Sequence, residues 1–463
     1  MSNAPLQTAP QPPVASNTTA ITHEDIDRAQ DRRRVLDARA GRGFSPRLRL
    51  MWLLVGPGIL VMLGENDGPS MLSYAATGAR YGVGFFVPFI VLTFCMAIVV
   101  QEMTVRLGAA THRGHAELIF DRFGPFWGWF SMIDLMFGNF LTLITEFIAI
   151  RAGLGFFGVP PWFAVLFALG VLYIALVTHR YWTWERITLA AALFNLIFVP
   201  VALFAHPQWH SIGQALATWK PLPGGLNQEM LLIVLADIGA TVTPWMLFFQ
   251  QSATADKGLT KRDIGFGRAD TVLGASLAAI AAIATVVATA PLYMHHVSSA
   301  NLEAGQFAQA LEPFIGHWGA ALFALGIFEA GMVACITIST SSAYAFGEVA
   351  RRPHSLNLPM SQGKAFYLVL LVQAAAAAAL VLIPGLPLIY VVLVVNVIAV
   401  LAMPPALIFL FMLVNDREVV GDQVSPWWAN ILTATVVLLL VGAGILYGIG
   451  VVAPGVLAKI GGA

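Results

Sequence analysis

The stretch Gly64-Glu65-Asn66-Asp67-Gly68-Pro69-Ser70 interrupts an apolar segment. Before it runs Met51-Trp52-Leu53-Leu54-Val55-Gly56-Pro57-Gly58-Ile59-Leu60-Val61-Met62-Leu63, and after it Met71-Leu72-Ser73-Tyr74-Ala75-Ala76-Thr77-Gly78-Ala79. In a membrane-spanning segment this places two carboxylates, an amide, a glycine and a proline at bilayer depth. A charged group there costs at least ~2.5 kcal/mol even on the most lenient scale. Gly and Pro free backbone carbonyls, tolerated at that depth only where they are buried in protein or line a cavity. A broken helix with a carboxylate at the break is how many secondary transporters build a cation site. Asp67 is therefore the first candidate ligand.

The composition supports the membrane setting. The chain has 463 residues, 58% hydrophobic and 11% charged, where a soluble domain carries about 25% charged residues. Cys95 and Cys335 both fall in apolar segments and read as small core residues, with no disulfide or metal role implied. Residues 1–49 are rich in Ala, Pro, Ser, Thr, Gln and charge and lack an apolar core region, which excludes a cleavable signal peptide. Glu24, Asp25, Asp27, Asp31 and Asp37 argue against an organelle transit peptide. This part is expected to be a disordered cytoplasmic tail with a short charged helix near 23–40.

Stretches of spanning length fall at about 50–78, 84–107, 127–155, 161–178, 187–205, 229–252, 270–293, 317–346, 365–383, 387–414 and 428–451. The expectation is an all-α membrane protein of about eleven transmembrane helices, with a transporter domain at 50–452 and a short external tail at 453–463. The positive-inside rule agrees with this count. With the N-terminus cytoplasmic, 21 of the 25 Lys and Arg fall inside. Arg80, Lys220 and Lys459 fall outside, and Arg151 lies within a span. The C-terminus is then external. This bias, without targeting signals, fits a bacterial inner membrane. Most of the twelve Trp lie near span ends, as interface anchors do.

A second break is written into Leu235-Ala236-Asp237-Ile238-Gly239-Ala240-Thr241-Val242-Thr243-Pro244-Trp245. Pro244 removes a backbone donor and clashes with the preceding turn. The breaks fall in the first and sixth segments. Interrupted helices at corresponding places in two halves point to a transporter site. The implied architecture is an inverted 5+5 repeat, helices 1–5 and 6–10, with the eleventh appended. No residue-level identity between the halves supports the repeat; break positions alone carry it.

Over nearly all of 50–450 the chain resembles the Nramp family of divalent-metal transporters, as a divergent member. Asp67-Gly68-Pro69-Ser70 stands where the family has Asp-Pro-Gly-Asn, and Gly239-Ala240-Thr241-Val242-Thr243-Pro244-Trp245 where it has Gly-Ala-Thr-Val-Met-Pro-His. Val105-Arg106-Leu107-Gly108, His115-Ala116-Glu117-Leu118, Ile336-Thr337-Ile338-Ser339-Thr340 and Asn415-Asp416-Arg417 add to the likeness. The resemblance implies the LeuT-type inverted-repeat fold and a metal ion held between the first and sixth helices. It implies Asp67 as carboxylate ligand and Ala240 as carbonyl ligand. Ser70 takes the place of the family's Asn, Thr243 that of its Met, and Asn396 that of a tenth-helix Gln. Trp245 and Gln250 occupy two His positions. Of the third-helix acidic pair tied to proton movement, Glu146 remains and Leu143 stands where an Asp is usual.

These departures leave oxygen donors only. Thioether sulfur favours late transition metals, whereas oxygen suits magnesium, calcium and manganese. Magnesium keeps several waters, and short hydroxyl side chains leave room for them. A magnesium-transporting branch of the family also lacks the Met, while most members carry manganese or iron. Glu65 is a candidate second carboxylate ligand or a vestibule charge. Asp237 shares a helix face with Ala240 and is a candidate for the ion pathway, as are Glu146 and Asp134. Glu102 and Arg106 are spaced to bridge each other; Glu329 has no assigned role.

The main expectation is a secondary transporter importing a divalent cation, of the manganese or iron type or magnesium, by alternating access. The metal is substrate, and no cofactor, nucleic acid or ATP-binding subunit is implied, since no nucleotide-binding motif is present. The alternative is a sodium- or proton-coupled carrier of a small organic substrate on the same fold. Its freed helix N-terminus would hold a carboxylate, which Asp67 repels. An enzyme is not expected, because no nucleophile–base set is visible.

Overall fold

The computed structural model describes residues 53–176, 181–222, 227–297 and 304–452, with Asp37, Gly225 and Leu302 besides. Apart from Asp37, the expected tail 1–49 lies outside the described residues, as does the tail 453–463. Residues from Leu54 onward form one compact unit. Its described residues are helical and contain no strand.

The first segment is two helices, α1 (Pro57–Glu65) and α2 (Gly68–Tyr81), with only Asn66 and Asp67 between them. The break is narrower than the polar stretch implied. Pro69 lies in the first turn of α2, where its missing N–H would have no partner anyway. It opens the second half rather than unwinding it. Then follow α3 (Phe86–Thr111), α4 (His115–Phe123), α5 (Pro125–Phe156) and α6 (Pro161–Leu176). The fifth segment is α7 (Tyr181–Ala192), a 3-10 stretch Leu193–Ile197, and α8 (Phe198–Phe204). A short α9 (Trp209–Thr218) precedes the sixth segment, which is α10 (Gln228–Gly239) and α11 (Pro244–Lys257). Pro244 again opens the second half-helix.

The remainder is α12 (Ile264–Met294), α13 (Phe307–Val349), α14 (Lys364–Val381), α15 (Leu388–Asn415), α16 (Arg417–Val420) and α17 (Trp427–Val452). α13 is interrupted at Gly316, with φ 71° and ψ 168°, so its spanning part starts where the eighth apolar segment starts. Among the described residues nine helical segments are long and apolar enough to cross a membrane. The expected first and fourth spans are not among the nine. The first is cut in two, and Pro161–Ala175 is too short.

Large apolar side chains cover the outside, and several carboxylates lie within the apolar core. Phe126, Ile133, Leu166, Ile174, Trp318 and Leu438 are exposed, while Glu65, Asp67, Glu146 and Asp237 are buried. An apolar surface that broad faces lipid, and intramembrane charges turn to the bundle interior. α1 and α2 pack on α12, α5 on α13, and α10 on α15. Glycines permit the closest approaches. A Cβ on Gly78 would overlap the Val286 carbonyl oxygen, and one on Gly274 would fall 2.6 Å from the Ile59 Cα.

Candidate metal-ion site

The two breaks face each other at the centre of the bundle. Asp67 caps α2: its Oδ1 accepts the Ser70 N–H at 2.8 Å, and the Ser70 hydroxyl also turns toward it. Asn66 is pinned from outside. Its Nδ2 donates to the Ala278 carbonyl at 2.7 Å, and its freed carbonyl accepts Asn195 Nδ2 at 2.8 Å. Asn195 sits in the 3-10 stretch of the fifth segment. That irregular turn brings an amide side chain to the break.

On the other side, Thr241, Val242 and Thr243 lie between the helix end at Ala240 and Pro244. The Ala240 carbonyl accepts the Tyr74 hydroxyl at 3.0 Å, leaving one lone pair. Tyr74 also meets Thr241 Oγ1 at 2.8 Å. Three residues further along α2, Thr77 donates to both oxygens of Asp237 at 3.0 Å. Asp237 and Ala240 therefore share the face of α10 that meets α2, as their spacing implied. The Thr77 hydroxyl is thus the partner of Asp237.

Glu65 closes the gap between the breaks. Its Oε2 accepts the Thr243 hydroxyl at 2.7 Å. Its Oε1 is buried with no hydrogen-bond partner among the described residues. The Trp245 indole N–H lies beside the same carboxylate, short of hydrogen-bond geometry. Glu65 is the last residue of α1, at the negative end of its dipole, where a carboxylate is disfavoured. Glu146 of α5 accepts the Gly68 N–H at 3.1 Å through Oε2, and its Oε1 has no partner among the described residues. The carboxyls of Asp67 and Glu146 face each other. Asn396 of α15 donates to Ser73 Oγ at 2.9 Å.

The structure thus gathers Glu65, Asp67, Ser70, Ala240 and Thr243 at the breaks, with Glu146 beside Asp67 and Asn396 against α2. Asp237 is one turn removed. Asp134 is not brought in. It is half-buried on α5, about 18 Å along the helix from Glu146 at 1.5 Å per residue. Arg151 donates to the Val381 carbonyl at 3.0 Å rather than to a carboxylate. Glu102 and Arg106 do bridge, at 2.9 Å. Both oxygens of Glu329 are buried without a hydrogen-bond partner among the described residues.

Among the described residues no Lys or Arg forms an ion pair with Glu65, Asp67, Glu146 or Asp237. No three His, Cys, Asp or Glu side chains form a ready-made metal group there either. A cation at the breaks would be held by a mixed set of carboxylate, hydroxyl and carbonyl oxygens. Tyr74 and Asn195 were missed in the sequence, although each is a polar side chain within an apolar run, the signal that singled out Asp67.

Residues 58–449 match the Nramp family, described as natural resistance-associated macrophage protein-like. The divalent metal cation transporter MntH of Nostoc sp. is 28% identical over 411 residues, covering 85% of this chain and 90% of that one. MntH 1 of Pseudomonas aeruginosa is 26% identical over 413 residues, covering 83% and 88%. A crystal structure of the Eremococcus coleocola manganese transporter superposes with a TM-score of 0.73 at 19% identity, covering 89% of this chain and 90% of that one. MhsT, solved in complex with L-phenylalanine, superposes with a TM-score of 0.54 at 12% identity, over 85% of this chain and 97% of that one. The fold is that of the LeuT-type transporters, and the chain belongs to the Nramp family.

Proposed function

We propose that the protein imports a divalent metal cation across the membrane by alternating access, and that the ion binds between the two breaks. The observation that carries this reading is the pair Glu65 and Asp67, buried at the first helix break opposite the second, with no basic partner among the described residues. A buried charge without a partner costs several kcal/mol, and a divalent cation supplies the missing counter-charge. Asp67 and Glu65 Oε1 are the anionic ligands. The Ala240 carbonyl, the Thr243 and Ser70 hydroxyls and the Asn396 amide oxygen complete an oxygen-only set. Such a set suits a hard ion, manganese or magnesium. Glu146 and Asp237 line the route to either side. The N-terminus lies in the cytoplasm and the C-terminus outside, in a bacterial plasma membrane.

Every proposed ligand is buried, so release of an ion held there requires one side of the bundle to open. Uptake into sealed proteoliposomes, with manganese, magnesium and calcium compared, tests the reading. Manganese or magnesium accumulates with the wild type, and Asp67→Ala abolishes it. Accumulation of none of the three ions contradicts it.

A further inference from the structure

α1 carries the candidate site at one end and a second cluster of charges at the other. Its nine residues separate the two by about 13 Å. At the far end Asp270 of α12 accepts three backbone N–H groups, from Gly56 at 3.1 Å, Gly58 at 2.6 Å and Ile59 at 3.2 Å. A helix start leaves such donors without partners, and a carboxylate there also meets the positive end of the dipole. Lys257, the last residue of α11, donates to the Val55 carbonyl at 2.9 Å and to Glu185 of α7 at 2.8 Å. Its ammonium also lies 5.4 Å from the centre of the Trp182 ring. Glu185 accepts the Tyr181 hydroxyl at 3.0 Å. The Lys257 and Glu185 side chains are 1% and 3% exposed, and Asp270 is within electrostatic reach of Lys257.

The cluster closes around a glycine. Gly56 has φ +158°, and a Cβ there would fall 2.5 Å from Glu185 Oε1 and 2.8 Å from Lys257 Nζ. Lys257 serves both acids, Arg186 is within electrostatic reach of Glu185 as well, and the positive end of α1 supplies the rest. The half-helix is a short rigid piece with non-helical backbone at both ends, Gly56 before it and Asn66–Asp67 after it. Such a piece moves as a unit about its ends.

We propose that Asp270, Lys257 and Glu185 are positioning residues for transport: they hold α1 shut across one side of the buried site, and their parting opens that side. A charged cluster suits this task better than apolar packing. A buried ion network gains little over well-packed apolar groups, and its members regain hydration when they part into water. The closed state is thus held by directional bonds whose loss water compensates.

Cys335 of α13 is a native reporter, buried within electrostatic reach of Asp67 and Glu146. In a Cys95→Ser background it is the remaining thiol of the two. Its labelling by a membrane-impermeant methanethiosulfonate, added from the side of Lys257, reads opening without reference to metal uptake. In Lys257→Met the rate rises on the order of tenfold, and in Lys257→Arg it stays within about twofold of wild type. The double variant Lys257→Met/Glu185→Gln keeps the net charge of the cluster, so it serves where the single variant folds poorly, and it labels as fast as Lys257→Met. Ala374→Cys on α14, which does not pack on α1, labels at an unchanged rate and reports general loosening. An unchanged rate at Cys335 in both Met variants, or an equal rise at Ala374→Cys, overturns the proposal.

Discussion

At the residue scale the central group is Asp67. N-capping accounts for one of its oxygens; it does not account for a second carboxylate, Glu65, at the end of the preceding half-helix. Asp67→Ala removes a cap worth ~1 kcal/mol and the main anionic ligand together. The expected outcome is a folded protein whose divalent-ion binding by calorimetry is lost; near-normal binding would remove the site. Thr243 holds Glu65 at 2.7 Å and, by the resemblance to the Nramp motif, takes the place of a Met. Thr243→Met supplies its sulfur and releases Glu65. Cadmium should gain and magnesium lose against manganese by about one tenfold step, or 1.4 kcal/mol, read as the ratio of their inhibition constants for manganese uptake. A ratio that does not move means Thr243 is remote from the ion. Asp67, Ala240 and Glu146 were legible because each is a costly residue in an apolar run or matches a family motif. The Tyr74–Ala240 and Asn195–Asn66 bonds were not, because they join positions 166 and 129 residues apart and leave no periodic trace.

At the scale of elements, both breaks were legible from Gly and Pro, but their extent was not. A polar residue after a break reads as unwound until its donors are followed, and Pro69 and Pro244 prove to start helices. The 3-10 stretch at Leu193–Ile197 was invisible, since its residues are as apolar as those of a regular helix. Asn195→Ala leaves the Asn66 carbonyl without its partner, a loss of about 1–3 kcal/mol. Thermal unfolding in detergent should show it, with weaker metal binding beside it; unchanged stability and binding would mean the pin is idle. Asp270, Glu185 and Lys257 lie apart in sequence, on three different helices, and only the packing of α1 against α7, α11 and α12 buries them together. α4, outside the spans, carries a pH-sensitive contact. His115 is buried against Phe248, with its Nδ1 3.0 Å from Gln251, and burial pushes its pKa down to about 4. The folded form resists the proton that the unfolded form accepts near pH 6.5. Stability is therefore complete above 6.5 and falls toward pH 4, by about 3 kcal/mol. His115→Asn should lack this component when unfolding is followed from pH 7 to pH 4. Parallel declines in both proteins would refute it.

At the scale of the molecule, the fold class followed from apolar spans and two breaks, the family from its resemblance at the motifs in and around those breaks, and the matching transporter structures carry the same architecture. The count of spans was less secure, because a divided helix and a short one, Pro161–Ala175, do not meet a length criterion. Coupling is a property at this scale. The resemblance to the Nramp motifs implies that Trp245, Gln250 and Leu143 replace titrating residues, so metal uptake should bring little or no proton influx. Internal acidification of vesicles during uptake measures this; a robust metal-dependent influx would assign a proton route to Glu146 or Asp237. The most direct measurement for the whole account is anomalous X-ray scattering from crystals soaked in manganese. The expected result is one peak between the breaks, about 2–2.6 Å from the Asp67 carboxylate and the Ala240 carbonyl oxygen, absent in Asp67→Ala. A manganese peak elsewhere in the bundle, with that position empty, would contradict it.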